Sequence, residues 1–171
     1  IVTKSSLLDV DQIVVNGADG ELAVLVSEQS NIQKSTPLLE VNGSDAIRAI
    51  EKIPQIKTAR ISKSFNGTLT ITVTKRTPVV ASNVGSSWVL LDEEGRVVDR
   101  VLELPFNYPV LDGLNDPPQM GEWVSDQVLP AIELAANLPP ILAANVSSVQ
   151  IGEMLELNLF GEGKVLFGDG S

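Results

Sequence analysis

The sequence predicts an α+β protein in two parts: a β-α-α-β-β domain over residues 1–76, then over 77–171 a mostly antiparallel β-domain containing one helix. Three observations carry that expectation. Residues 55–76 alternate apolar and polar side chains as a hairpin with one buried face does. Two stretches ahead of the hairpin have apolar residues at helical spacing, and from Thr77 onward short β-favourable runs separated by glycine turns take over. Charge divides at the same place. Nine basic and eight acidic residues lie in 1–76, a net of +1, against three basic and fourteen acidic in 77–171, a net of -11.

The first strand is expected within 8-LDVDQIVVNG-17, which ends on the turn signal Asn16-Gly17. A short helix follows over 19–30, with Asp19 as N-cap and Leu22, Leu25 and Val26 as its apolar stripe. A second helix is expected over 44–53, capped by Ser44, striped by Ile47, Ile50 and Ile53, and ended by Pro54. In the hairpin, apolar Ala59 and Ile61 share parity with Leu69, Ile71 and Val73. A two-residue turn at Asn66-Gly67 would pair Ile61 with Thr72 and put the two apolar sets on opposite faces. A three-residue loop of Phe65, Asn66 and Gly67, with Gly67 left-handed, pairs Ile61 with Ile71 instead. Arg60 then lies on the solvated face, while Lys57 and Lys63 share parity with the buried set and belong at strand ends or a sheet margin. Two helices with one apolar stripe each must pack on one face of this three-stranded sheet.

Beyond Thr77 the strands are expected at 79–84, 88–92, 96–101, 146–151, 155–160 and 164–168. The helix falls at 125–138, burying Val128, Ala131, Ile132, Ala135 and Leu138, with Pro130 tolerated near its start and Pro139-Pro140 stopping it. Residues 104–123 read as loop.

Composition narrows the chemistry. With 43% apolar residues, the 171-residue chain can bury a core. It has no Cys and no His, which removes Ser-His-Asp triads, thiolate nucleophiles, disulfides and most zinc sites. The chain opens at Ile1, without a signal-peptide pattern or an apolar run of about 18 residues. It is expected to be a fragment or mature ectodomain whose anchor lies outside it. Nucleic acid is a poor partner for a chain of this charge whose only tyrosine is Tyr108. Asp9/Asp11 and Asp92/Glu93 are the carboxylate pairs to weigh for hydrolysis; the first alternates on a strand and the second sits in a tight turn, so solvated structural roles are expected. The glycines of 161–170 lack phosphate-loop spacing, and the sequons at Asn42, Asn66 and Asn145 are expected to be coincidental.

One feature stands against the acidic average. From Arg48 to Arg76 lie seven of the chain's twelve basic residues (Arg48, Lys52, Lys57, Arg60, Lys63, Lys75 and Arg76) against one acid, Glu51. If the first hairpin arm is a sheet edge, its unpaired backbone groups suit strand addition by a partner. Flanking cations would deter self-pairing or steer an acidic partner.

The succession 14-VVNG-17, 37-PLLEVN-42, 51-EKIPQIKTARI-61, 69-LTITVTKRTPVVA-81 and 88-WVLLDEEGRV-97 resembles the extracytoplasmic region of the bacterial cell-division family FtsQ/DivIB. The run from Pro109 to Gly113 and the late stretch 155-LELNLFGEGKVLFG-168 resemble further parts of it. The resemblance implies a POTRA domain over 1–76 and a β-domain over 77–171, truncated at its C-terminal end because family members usually continue with another helix and strand. It implies a non-enzymatic scaffold of the divisome, without cofactor or metal. The protein would be anchored in the cell membrane by a single N-terminal span, lie on the extracytoplasmic side at midcell, and recruit FtsB/DivIC-like and FtsL-like chains at the septum. The expected partner-binding residues are Lys57, Arg60, Ser62 and Lys63 on the POTRA edge, and Leu157, Leu159, Val165 and Phe167 on the late strands. Lys75 departs from the family, which often has Glu before Arg-x-Pro. The alternative is a POTRA module of an outer-membrane assembly or secretion protein that binds extended substrate polypeptides.

Overall fold

The computed structural model describes residues 8–103, 108–114, 118–152, 154–161 and 163–167, with Pro140 and Phe167 described through their backbones alone. The chain forms two compact units, Ile1–Arg76 and Thr77–Ser171.

The first unit runs β1 (Gln12–Asn16), α1 (Gly20–Gln29), α2 (Gly43–Ile50), β2 (Ile56–Lys63) and β3 (Thr68–Lys75). β3 is central, pairing parallel with β1 and antiparallel with β2. Leu69, Ile71 and Val73 of β3 are buried with Val26 of α1 and Ile50 of α2, whereas Thr72 and Thr74 on the opposite side are exposed. Threonine alternation thus marks the solvent face. Ile61 stands opposite Ile71, and the loop closes through Ser64 N–H donating to the Thr68 carbonyl at 2.9 Å. Gly67 takes φ +79°, the left-handed conformation the three-residue loop requires. Gly17 at the end of β1 has φ +86°, and a Cβ there would stand 1.9 Å from the Val73 carbonyl oxygen. The chain turns there only because no side chain intervenes.

Three local expectations are corrected. α2 starts one residue earlier than expected, because Asn42, not Ser44, is its N-cap and accepts the Asp45 N–H at 3.2 Å. Asp19 occupies the N-cap position of α1 without a side-chain hydrogen bond, and the outer part of that stripe, Leu25, is 37% exposed. In β2 the register shifts between Ile56 and Thr58. This bulge reverses the parity, so Ile56 is buried on the same face as Ala59.

The second unit contains β4 (Pro78–Asn83), β5 (Trp88–Asp92), β6 (Val97–Val101), β7 (Val110–Asp112), α3 (Leu129–Ala136), α4 (Pro140–Ala143), β8 (Val146–Gln150), β9 (Leu155–Leu159) and β10 (Lys164–Phe167). Its sheet has the order β10-β9-β8-β7-β4-β5-β6, and four of the six pairings are antiparallel. The two parallel pairings belong to β7, which lies in the stretch expected to be loop. α3 begins at Leu129 with Pro130 in its first turn, and buries Ala131, Ile132 and Ala135 against Leu91, Leu111, Val149 and Leu157. The expectation of a single helix is corrected by α4, whose first residue is the second proline of the pair expected only to stop α3.

Candidate functional site

The sheet of the first unit ends at β2, so the expected edge strand is an edge. Its backbone alternates. Ser64 N–H bonds inward to Thr68, whereas Ala59 N–H points away from β3 and donates at 3.0 Å to Oε1 of Glu51, just past the end of α2. With the register unbroken from Ala59 to Lys63, Arg60 and Ser62 therefore turn their N–H and C=O groups toward β3, and Ala59, Ile61 and Lys63 turn theirs outward. The side chains divide the other way. Arg60 and Ser62 are exposed on the face away from the helices, while Lys63 donates from Nζ to the Val41 carbonyl at 2.7 Å on the helix side. Lys57 falls in the bulge. Arg76 donates from Nε to the Ile56 carbonyl at 3.3 Å, and exposed Lys75 stands opposite Ile56. The basic window of the sequence thus surrounds one edge strand and the end of the helix beside it, with its single acid bonded to that strand.

The second sheet offers β10 as its late edge. Val165 pairs with Leu157 and Phe167 with Leu155. Leu157 is 2% exposed and Leu159 packs against the same core, so these two expected partner-binding residues serve the interior. Val165 is 39% exposed and Leu166, on the opposite face of β10, is 61% exposed. The side chain of Phe167 lies outside the described residues.

The carboxylates the sequence singled out have structural places. Asp92 is buried, not solvated as expected. Its Oδ1 accepts the N–H groups of Glu94 at 3.1 Å and Arg96 at 2.9 Å, which shapes the β5–β6 turn. Asp9 and Asp11 are held through their backbones, Asp9 in a β-bridge with Pro37 and Asp11 by donating its N–H to the Gly67 carbonyl at 2.8 Å. The sequon asparagines are likewise engaged: Asn42 caps α2, Asn66 Oδ1 accepts Thr68 N–H at 3.1 Å, and Asn145 Nδ2 donates to Ile141 at 2.7 Å. A shallow concavity in the second unit is lined by Gly113, Gln119, Glu122, Trp123 and Gln127. Its carboxylate, Glu122, accepts Gln119 N–H at 2.9 Å. Among the described residues no metal-ligand cluster gathers, and no helix is long and apolar enough to cross a membrane. The sequence also gave no warning of Arg96, buried with its guanidinium 4.6 Å above the Trp123 ring and Nε bonded to the Gly121 carbonyl at 2.9 Å.

Residues 8–76 match the family model described as "POTRA domain, FtsQ-type". The chain is 26% identical to the cell division protein FtsQ of Streptomyces collinus over 97% of its length and 66% of the relative's. Against FtsQ of Streptomyces coelicolor it is 25% identical, over 99% of this chain and 68% of that one. Residues 8–76 thus carry an FtsQ-type POTRA domain, and nearly the whole chain is similar to FtsQ cell division proteins. FtsQ of Mycobacteroides abscessus is 25% identical over 93% of this chain and 49% of its own length. The chain thus spans between about half and two thirds of the length of these three FtsQ relatives. Among solved structures, the major extracytoplasmic domain of the cell division protein DivIB from Geobacillus stearothermophilus is similar at 16% identity and a TM-score of 0.43, covering 56% of this chain and 80% of that one. The FtsQ-type match spans the β2 edge and its basic surround. The Gly17 turn, quoted from the sequence as a family feature, is where the backbone admits no side chain.

Proposed function

We propose that this chain is the extracytoplasmic part of a division scaffold, a POTRA domain over 1–76 and a β-domain over 77–171, that carries out no reaction and recruits other division membrane proteins at the septum. The observation that carries the reading is the β2 edge. Ile61 and Lys63 turn backbone donors and acceptors outward from a strand ringed by cations in an otherwise acidic protein. An added strand would gain main-chain hydrogen bonds worth about 0.5–1.5 kcal/mol net each. That is weak docking before the cost of association, so charge steering and further contacts must contribute. β10 is the second docking edge, through its backbone and through exposed Val165 and Leu166 rather than Leu157 or Leu159. Membrane partners of the FtsB/DivIC-like and FtsL-like kinds, held alongside by a single N-terminal span, fit two weak edges used together.

The test follows the full-length protein, fused to a fluorescent tag that matures outside the cytoplasm, in growing bacteria. A band at midcell before constriction supports the scaffold. Uniform envelope fluorescence would overturn it in favour of an outer-membrane assembly or secretion module binding extended polypeptides.

A further inference from the structure

Glu51 is the one acid of the basic window, and its carboxylate occupies the outward N–H of Ala59 at 3.0 Å. A carboxylate is a stronger acceptor than a peptide carbonyl. It sits where an incoming strand would place its own carbonyl. Upstream of Ala59 the strand bulges, and the Ile56 N–H is already given to Ile53 at 3.0 Å. The outward groups of Ile61 and Lys63 remain as a short run toward the hairpin loop. Arg60 and Ser62 flank this run on one face, and half-buried Ile61 and exposed Lys63 lie on the other.

We infer that Glu51 caps the β2 edge at Ala59, confining strand addition to Ile61–Lys63, and that the segment which docks there is extended and acidic, with a carboxylate beside Arg60 and an apolar residue beside Ile61. This rests on β2 being a docking edge and adds where on it a partner pairs and what that partner carries. The cap also guards the protein against itself. A second copy of β2 would bring a strand of like charge and would have to displace two carboxylates to pair along its full length.

The experiment uses the 171-residue chain. Amide hydrogen exchange on the unaltered protein should show Ala59 exchanging at least about tenfold more slowly than Ile61, although both donors face outward. In E51A the Ala59 amide should approach the Ile61 rate while Ile71 stays slow, which reports an intact fold. E51Q keeps an acceptor oxygen but no charge and should retain most of the protection. An octapeptide alternating Val and Glu is then titrated against the amide signals of Ile61 and Lys63, with a Val/Lys octapeptide as control. The acidic peptide should bind E51A about fivefold more tightly than the unaltered chain, the worth of about one net hydrogen bond. E51Q should bind within about twofold of the unaltered chain, and the Val/Lys peptide should not bind. Equal exchange of Ala59 and Ile61 in the unaltered chain would overturn the cap. Equal tightening by E51Q and E51A would also overturn it, since only the lost charge would then matter. A protected Ala59 with no acidic-peptide response at Ile61 or Lys63 in any of the three proteins would leave an ordinary structural hydrogen bond and overturn β2 as a docking edge.

Discussion

β2 and β10 each close a sheet as the outer arm of an antiparallel hairpin, yet they meet solvent in different ways. β2 shows Arg60 and Ser62 on one face, a tethered Lys63 on the other, and a carboxylate already bonded to one of its outward donors. β10 has a single cation, Lys164, tied to Glu156 at 2.6 Å, and presents Val165 and Leu166 on its two faces. Edges that keep unpaired backbone groups either guard them with charge and side-chain caps or leave them with apolar neighbours that favour pairing. As the proposed docking edges, the first would select a partner by charge and register and the second by burial.

The largest expected effect tests whether β9 belongs to the core or to the β10 edge. Leu157→Ala should destabilise the second unit by about 2–5 kcal/mol, the cost of truncating a fully buried leucine, measured as a shift in its urea midpoint. A loss below about 0.5 kcal/mol with reduced partner binding would return Leu157 to the edge surface. Next is Arg60→Pro, which removes a donor facing β3 and should cost about 1–3 kcal/mol of stability in the first unit. Ile61→Pro, compared with Ile61→Ala to subtract the side chain, should cost less stability than Arg60→Pro while abolishing recruitment in cells. Equal recruitment by Ile61→Pro and Ile61→Ala would exclude β2 as the docking edge.

Leu166→Lys should change stability by no more than about 0.5 kcal/mol and lower any concentration-dependent association seen by light scattering, because it gives β10 the kind of guard β2 already has. The smallest effect belongs to Lys164→Gln. The exposed ion pair with Glu156 is expected at the low end for such pairs, about 0.2 kcal/mol, so the urea midpoint should move little and the remaining difference should fade with added salt.

How much of this was legible in the sequence differs between the two units. The first unit's element order, the three-residue loop and the opposition of Ile61 and Ile71 followed from parity, because a hairpin with one wet face writes its register into alternating residues. β7 was not legible. Val110, Leu111 and Asp112 form three residues between Pro109 and Gly113, and a central strand this short has no alternation to read. α4 was hidden by a proline pair that lies just beyond the end of α3 and whose second member begins another helix. At the candidate site, the cations and their edge strand were readable, whereas the bulge at Lys57 and the bond from Ala59 to Glu51 were not.

By itself the sequence determined the alternation, the helical stripes, the absence of Cys and His, and the gathering of positive charge around one hairpin arm, since each is a property of residue type and local spacing. Tertiary structure decided which way the backbone of β2 faces, that Leu157 lies inside while Leu166 does not, and that an acid from the turn after α2 reaches Ala59 eight residues further along the chain. Those outcomes depend on how a helix end and a strand come to lie side by side, and neighbours brought together by packing leave no period in the sequence.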